Sequence, residues 1–181
     1  MQEIRIHGRG GQGGVTSAEL LARGAIDKGK FGQAFPSFGP ERRGAPVQAF
    51  VRVSDAQIRL REKIYEPDIV MVLDPTLLEI ANVGDGLKDD GLVVVNSHED
   101  CQDIKNKFGF PRVAQVDATN IAIDELGVPI TNTTMLGALL KASAILEISD
   151  MEEVVQERFG SKLGPKNFKA MNRSFSEVNI C

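Results

Sequence analysis

The stretch "HGRGGQGGVTS", His7 to Ser17, decides how this chain is read, because it packs five glycines into the seven residues 8–14. Before it, Glu3 to His7 alternates apolar and polar side chains, the period of a strand. After it, Ala18, Leu21, Ala22, Ala25 and Ile26 recur at helical spacing up to Gly29. Strand, glycine turn, helix is the opening of a Rossmann-like α/β unit, and Gly8, Gly10 and Gly13 match GxGxxG in the context that pattern needs. Bare main-chain N–H groups at such a turn can approach a phosphate at the positive end of the helix, with Arg9 supplying charge. The same glycines also suit a turn that only packs a helix close to a strand, or admits a partner's backbone. Thr16 and Glu19 form a capping box that would start the helix later than a phosphate loop prefers.

Outward from the turn, residues 29–46 are rich in Gly and Pro and read as a loop. Val47–Val53 and Gln57–Arg61 alternate strictly and read as an antiparallel hairpin turning at Ser54-Asp55-Ala56. One face of its first arm carries Ala49, Val51 and Val53 for the core. The other, with Gln48, Phe50 and Arg52, is expected to be wet or to meet a partner. Ile69–Leu73, Leu92–Val95 and Val113–Val116 are compact apolar runs, each leading into a helical pattern, which signals a parallel sheet covered on both faces. Asp74-Pro75 reads as an N-cap followed by a helix-starting proline, and Asp117 or Thr119 as a cap further on. Thr133–Leu146 is apolar nearly all round and suits a helix covered on more than one side. Ser149–Glu152 opens another, and Phe168, Met171, Phe175 and Val178 stripe a last one. The expected fold is three-layer α/β/α with a mostly parallel mixed sheet and one antiparallel hairpin, in a single domain over residues 1–181.

Composition narrows the function. A chain of 181 residues with 42% hydrophobic and 25% charged residues is an ordinary globular composition. Its net charge of −4 argues against a general nucleic-acid binder, which needs a positive field. The longest apolar runs are too short to span a bilayer and the N-terminus carries no leader pattern, so a cytoplasmic location is expected. With only Cys101 and Cys181, the chain cannot supply the four thiolates of an iron–sulfur cluster, and two free thiols are expected. Two histidines, His7 and His98, make a histidine metal site improbable.

Between Glu41 and Lys63, six cations stand against three anions, the reverse of the overall balance. Within "FPSFGPERRGAP", the residues Phe35, Ser37, Phe38, Glu41, Arg42 and Arg43 read as an interface anchor. No nucleophile elbow, Cys–His pair or carboxylate pair stands out, so no catalytic residue is assigned. A free-standing NAD(P)-binding oxidoreductase is the competing reading of the glycine turn. It lacks the acid expected about 20 residues past the loop, and the turn lacks the GK[ST] of a P-loop.

"IHGRGGQGGVTSAELLARGAI", "AFPSFGPERRGAPVQAFVRV", "PDIVMVLDPTLL", "GLVVVNS", "VDATNIA" and "NTTMLGALLKASAI", in that order, resemble the gamma subunit of 2-oxoacid:ferredoxin oxidoreductases, most closely the pyruvate type. The resemblance runs from about Ile4 to Ile145. It implies a subunit of an enzyme that oxidatively decarboxylates pyruvate with coenzyme A to acetyl-CoA and CO2, reducing ferredoxin or flavodoxin. By the same resemblance, thiamine diphosphate, Mg and the iron–sulfur clusters belong to alpha, beta and delta partner subunits, and this domain covers the coenzyme A side of the active site. Gly8, Arg9, Gly10, Gly11, Gln12, Gly13 and Gly14 become the candidate coenzyme A contacts, with Ser37–Arg43 at the subunit junction. Relatives acting on 2-oxoglutarate or branched-chain acids look similar but tend to carry a Gly-Gly pair where Gly44-Ala45 stands here.

Overall fold

The computed structural model describes residues 1–37 and 43–181. In chain order the elements are β1 (Gln2–Arg9), α1 (Gly14–Asp27), β2 (Phe31–Pro36), β3 (Pro46–Ser54), β4 (Ile69–Val72) and α2 (Leu77–Ile80). They continue with β5 (Leu92–Asn96), α3 (Cys101–Phe108), β6 (Arg112–Val116), α4 (Ala118–Leu126), α5 (Asn132–Ser143), a 3-10 turn (Ile148–Met151), α6 (Glu152–Glu177) and β7 (Asn179–Ile180). One sheet forms in the order β2-β3-β1-β4-β5-β6-β7. Its centre, β1-β4-β5-β6, is parallel, while β2, β3 and β7 pair antiparallel at the two edges.

Side-chain alternation sorts the core into two layers. Ile4, Ile6, Ile69, Met71, Leu92 and Val94 face α1, α4, α5 and α6. Val70, Val72, Val93, Val95 and Val113 face the opposite way, against Leu77 of α2 and Ile104 of α3. Burying each such side chain contributes roughly 1.5–3 kcal/mol, so strands apolar on both faces belong at the centre of the sheet. α5 is buried without a break from Asn132 to Leu140, between the sheet and α6. The chain therefore covers that helix itself. α6 leaves helical geometry at Gly160, with φ 73° and ψ 175°, which separates the two helical patterns visible in the sequence.

Four expectations are corrected. Gln57–Arg61 is not a strand; the hairpin is β2 with β3, so part of the stretch read as loop is strand. Gln33 Nε2 instead donates to Leu60 O at 3.1 Å, tying residues 57–61 to the edge of the sheet as irregular chain. The second face of β3 is not wet. Phe50 and Arg52 are each 1% exposed, Phe50 against Phe35 and Arg52 bonded to Glu3 at 2.7 Å and Gln33 at 3.2 Å. The Thr16–Glu19 capping box does not form, since α1 begins at Gly14 with Gly13 as its N-cap and no side-chain cap. Finally, the cysteines are not free. Cys101 and Cys181, 80 residues apart, are joined in a disulfide with Cα atoms 6.2 Å apart. Cys181 and Val113 also exchange both main-chain hydrogen bonds, at 2.9 and 3.1 Å, so this end of the chain is held on β6. No local spacing in the sequence announces a contact made by closing so long a loop.

No helix among the described residues is long and apolar enough to cross a membrane.

Candidate functional site

β1 and β4 end side by side, with β3 on the other flank of β1, and the connections leave β1 and β4 for opposite faces of the sheet. A crevice at the carboxyl ends of parallel strands, where chain direction switches in this way, is where α/β sheets hold ligands. The glycine turn occupies it. Gly11 has φ 95° and Gly13 φ 80°, left-handed values that admit glycine freely and L side chains only with strain. Among the described residues, a Cβ at Gly11 would meet nothing within 4 Å, so they leave the tip of the turn open. Gly10 and Gln12 through Thr16 are half-exposed.

The turn is tethered from two sides. Gly10 N donates to Ala45 O at 2.9 Å and Gly44 N to Gly10 O at 3.1 Å, which straps it to the chain entering β3. Arg9 N donates to Gln12 Oε1 at 2.6 Å and Gln12 N to Arg9 O at 3.0 Å, closing the bend on itself. On the β4 side, Asp74 Oδ2 accepts from Arg9 Nε at 2.9 Å and from Gln12 Nε2 at 3.0 Å. Its Oδ1 accepts from Thr76 N at 3.0 Å and Thr76 Oγ1 at 2.6 Å. Thr76 Oγ1 in turn accepts from Arg9 Nη2 at 2.8 Å, and Arg9 Nη1 reaches Gly44 O at 3.1 Å. Partial burial alone would raise the Asp74 pKa, but the bonds from Thr76, Gln12 and Arg9 outweigh it and hold the carboxyl below its usual value. The reading of Asp74-Pro75 as an N-cap and first helical residue is corrected: Thr76 is the N-cap of α2, which begins at Leu77, and the Asp74 carboxylate instead answers the Arg9 charge inside the protein.

Two helix starts meet behind the turn. Ser17 Oγ lies 3.2 Å from Gly13 O and 3.1 Å from Asn132 O, bridging the first turns of α1 and α5. Neither helix has a side-chain cap or an acid in its first turn. Their orphan N–H groups and dipoles leave positive potential there, with no acid of either helix's first turn to offset it. Asn132, 4% exposed, lays its carboxamide over Gly13, with Nδ2 2.6 Å from where a Cβ would stand, and its Oδ1 has no hydrogen-bond partner.

His7, on β1, is 4% exposed and accepts from Arg5 Nε at 3.0 Å; burial, then the Arg5 charge, pushes its pKa down to about 3. It stays a neutral imidazole near neutral pH. Among the described residues no cluster of three or more His, Cys, Asp or Glu is placed to hold a metal ion. The arrangement offers main-chain amides to an anion.

Of the glycine-turn candidates, Gly10, Gly11, Gln12 and Gly13 form the turn itself, Gly8 and Arg9 end β1 with Gly8 buried, and Gly14 is the first residue of α1. Of the interface candidates, Phe35 packs on Phe50 with centroids 5.2 Å apart and lies 5.5 Å from the Arg52 guanidinium. Ser37 N donates to Gln48 O at 2.8 Å, and Arg43 is exposed. Phe38, Glu41 and Arg42 lie outside the described residues. Asp74, Thr76 and Asn132 went unassigned in the sequence. The signal for Asp74 was its place just past a parallel strand.

Four matches to known proteins bear on the identity of the chain as a whole. The family model for pyruvate ferredoxin/flavodoxin oxidoreductase matches residues 3–177. The chain is 50% identical over 182 residues to the pyruvate/ketoisovalerate oxidoreductases common subunit gamma of Pyrococcus abyssi, covering 99% of this chain and 98% of that one. It is 52% identical over 178 residues to the pyruvate synthase subunit PorC of Methanocaldococcus jannaschii, covering 98% and 97%. The crystal structure of pyruvate oxidoreductase subunit PORC from Thermotoga maritima superposes with a TM-score of 0.88 at 38% identity, over 99% of this chain and 97% of that one.

Proposed function

This chain belongs to the pyruvate ferredoxin/flavodoxin oxidoreductase family, and on that premise we propose that it is the gamma subunit of a pyruvate:ferredoxin oxidoreductase. The assembly converts pyruvate and coenzyme A to acetyl-CoA and CO2, the electron pair passing to ferredoxin or flavodoxin. This subunit works as one domain, closes the active site and receives the diphosphate of coenzyme A on the turn Gly8–Gly14. Thiamine diphosphate, Mg and the iron–sulfur clusters sit in the alpha, beta and delta partners: a cluster takes about four thiolates, and the two cysteines of this chain are bonded to each other. Phe35, Ser37 and Arg43, with Phe38, Glu41 and Arg42, form its contact with those partners, in the cytoplasm.

The observation that carries the coenzyme A assignment is the open tip at Gly11 beside two uncapped helix starts with no acid in their first turns. Main-chain N–H groups at a helix start bind phosphate oxygens without a side-chain cation. A second reading differs only in the acid: the Pyrococcus abyssi relative is named as common to pyruvate and ketoisovalerate oxidoreductases, so this chain serves two catalytic partners rather than one.

Reconstitution tests both. The purified chain alone should be inactive, and adding it to the partner subunits should restore coenzyme A-dependent oxidation of pyruvate. Full activity of the partners without it would reject the subunit role. Restoration with partners specific for either acid would favour the shared-subunit reading.

A further inference from the structure

We infer that Asp74 is the positioning residue of the glycine turn, holding it in its ligand-ready shape through Arg9 and Gln12. The argument starts from the composition of the turn. Five glycines in residues 8–14 leave the main chain with more freedom than any other sequence would, and amides can pre-organise around an anion only if something outside the turn limits that freedom. The strap to Gly44 and Ala45 holds one side, at Gly10. The other side is held by two side chains of the turn, Arg9 and Gln12, and both end on a single atom, Asp74 Oδ2, at 2.9 and 3.0 Å. Removing one carboxylate breaks both of these bonds at once, leaving Arg9 only its contacts with Thr76 Oγ1 and Gly44 O.

The same contact sets the electrostatics. Arg9 Nε is paired with Asp74, Nη1 with Gly44 O and Nη2 with Thr76 Oγ1, so the guanidinium is directed away from the mouth of the turn. Charge recognition is then left to main-chain amides and helix ends. The Asp74 carboxylate is itself fixed by Thr76, through N and Oγ1, which anchors it to the start of α2 rather than leaving it to follow the turn. Its side chain is 14% exposed, so water competes weakly for the pair.

This inference rests on the reading of the turn as a coenzyme A phosphate site only for its effect on catalysis, and two readouts keep the matters apart. The first is amide hydrogen exchange at Gly10–Gly14 in the full chain. The second is KM for coenzyme A against kcat in the reconstituted complex. Asp74→Asn keeps the shape of the side chain but turns one acceptor into a donor and discharges the pair. It should speed exchange in the turn roughly tenfold, as expected for loss of charge-assisted hydrogen bonds, and raise KM for coenzyme A several-fold with a smaller change in kcat. Arg9→Gln should give part of the same effect. The double variant should lose less than the sum of the two single losses, because both remove the Asp74–Arg9 contact. Asp74→Glu, which retains the charge, should recover part of the loss.

Exchange at Gly10–Gly14 unchanged in Asp74→Asn overturns the inference, as do effects of Arg9→Gln and Asp74→Asn that add as independent sites. Faster exchange with an unaltered KM for coenzyme A upholds the role of Asp74 and removes the coenzyme A assignment instead.

Discussion

Two glycines of the turn share a backbone strain and differ in what surrounds them, which makes Gly11→Ala and Gly13→Ala a matched pair. Both sit at positive φ, 95° and 80°. Placing an L-residue there costs about 1–2 kcal/mol, partly offset by the lower entropy of an unfolded chain carrying alanine, so a net loss of about 1 kcal/mol is expected at either site. At Gly11 nothing else is added, because the new methyl would meet no atom of the described residues within 4 Å. At Gly13 it would stand 2.6 Å from Asn132 Nδ2 and 2.9 Å from Cγ, roughly an ångström inside ordinary contact. Asn132 is 4% exposed and cannot swing into solvent. Over-packing of this kind adds roughly 1–3 kcal/mol, which brings Gly13→Ala to about 2–4 kcal/mol in total. Urea unfolding of the two variants, read as midpoint shifts at constant m, measures the difference. In an Asn132→Ala background the cost of Gly13→Ala should fall to that of Gly11→Ala. Equal losses for the two single variants, within about 0.5 kcal/mol, would refute the packing of Asn132 over the turn and with it the meeting of the two helix starts.

Two further outcomes follow from the fold. Reducing the Cys101–Cys181 bond, which closes a loop 80 residues in separation, should lower stability by up to about 4.5 kcal/mol on a chain-entropy argument; denaturation with and without a dithiol reductant measures it, and an unchanged midpoint counts against the bond. His7, with its folded pKa near 3 against 6.5 for the free side chain, binds fewer protons folded than unfolded, so its contribution is complete above about pH 6.5 and declines as pH falls toward 3. Between pH 6.5 and 5, unfolding free energy should drop by up to about 1.4 kcal/mol per unit, and His7→Gln should flatten that slope; a slope identical in the variant would contradict the buried neutral imidazole.

The elements legible in the sequence are those whose evidence is local. Alternation marked β1 and β3, unbroken apolar runs marked β4, β5 and β6, and helical spacing marked α1, α5 and both parts of α6, because each period is imposed by the geometry of neighbouring residues in the chain. The glycine turn was visible for the same reason: a bend between strand and helix that needs bare backbone writes itself as consecutive glycines. Six ordered motifs also carried the family resemblance before any fold was known.

What the tertiary structure alone decided are pairings between distant residues. β2 is a strand because β3 lies beside it, although Phe31–Pro36 taken alone reads as loop. Arg52 looked like a solvent-facing cation until Glu3 and Gln33 were brought to it. Cys101 and Cys181 gave no sign of each other across 80 residues. The site divides the same way. Its glycines lie within seven residues and can be read, whereas Asp74 reaches Gln12 of the turn from 62 positions away and Asn132 packs over Gly13 from far along the chain. Their identities suit ordinary helix capping when the sequence is read alone, and only the folding of β4 beside β1, with α5 packed against α1, makes the aspartate a tether, Thr76 being the N-cap of α2, and the helix-start asparagine the floor of the turn.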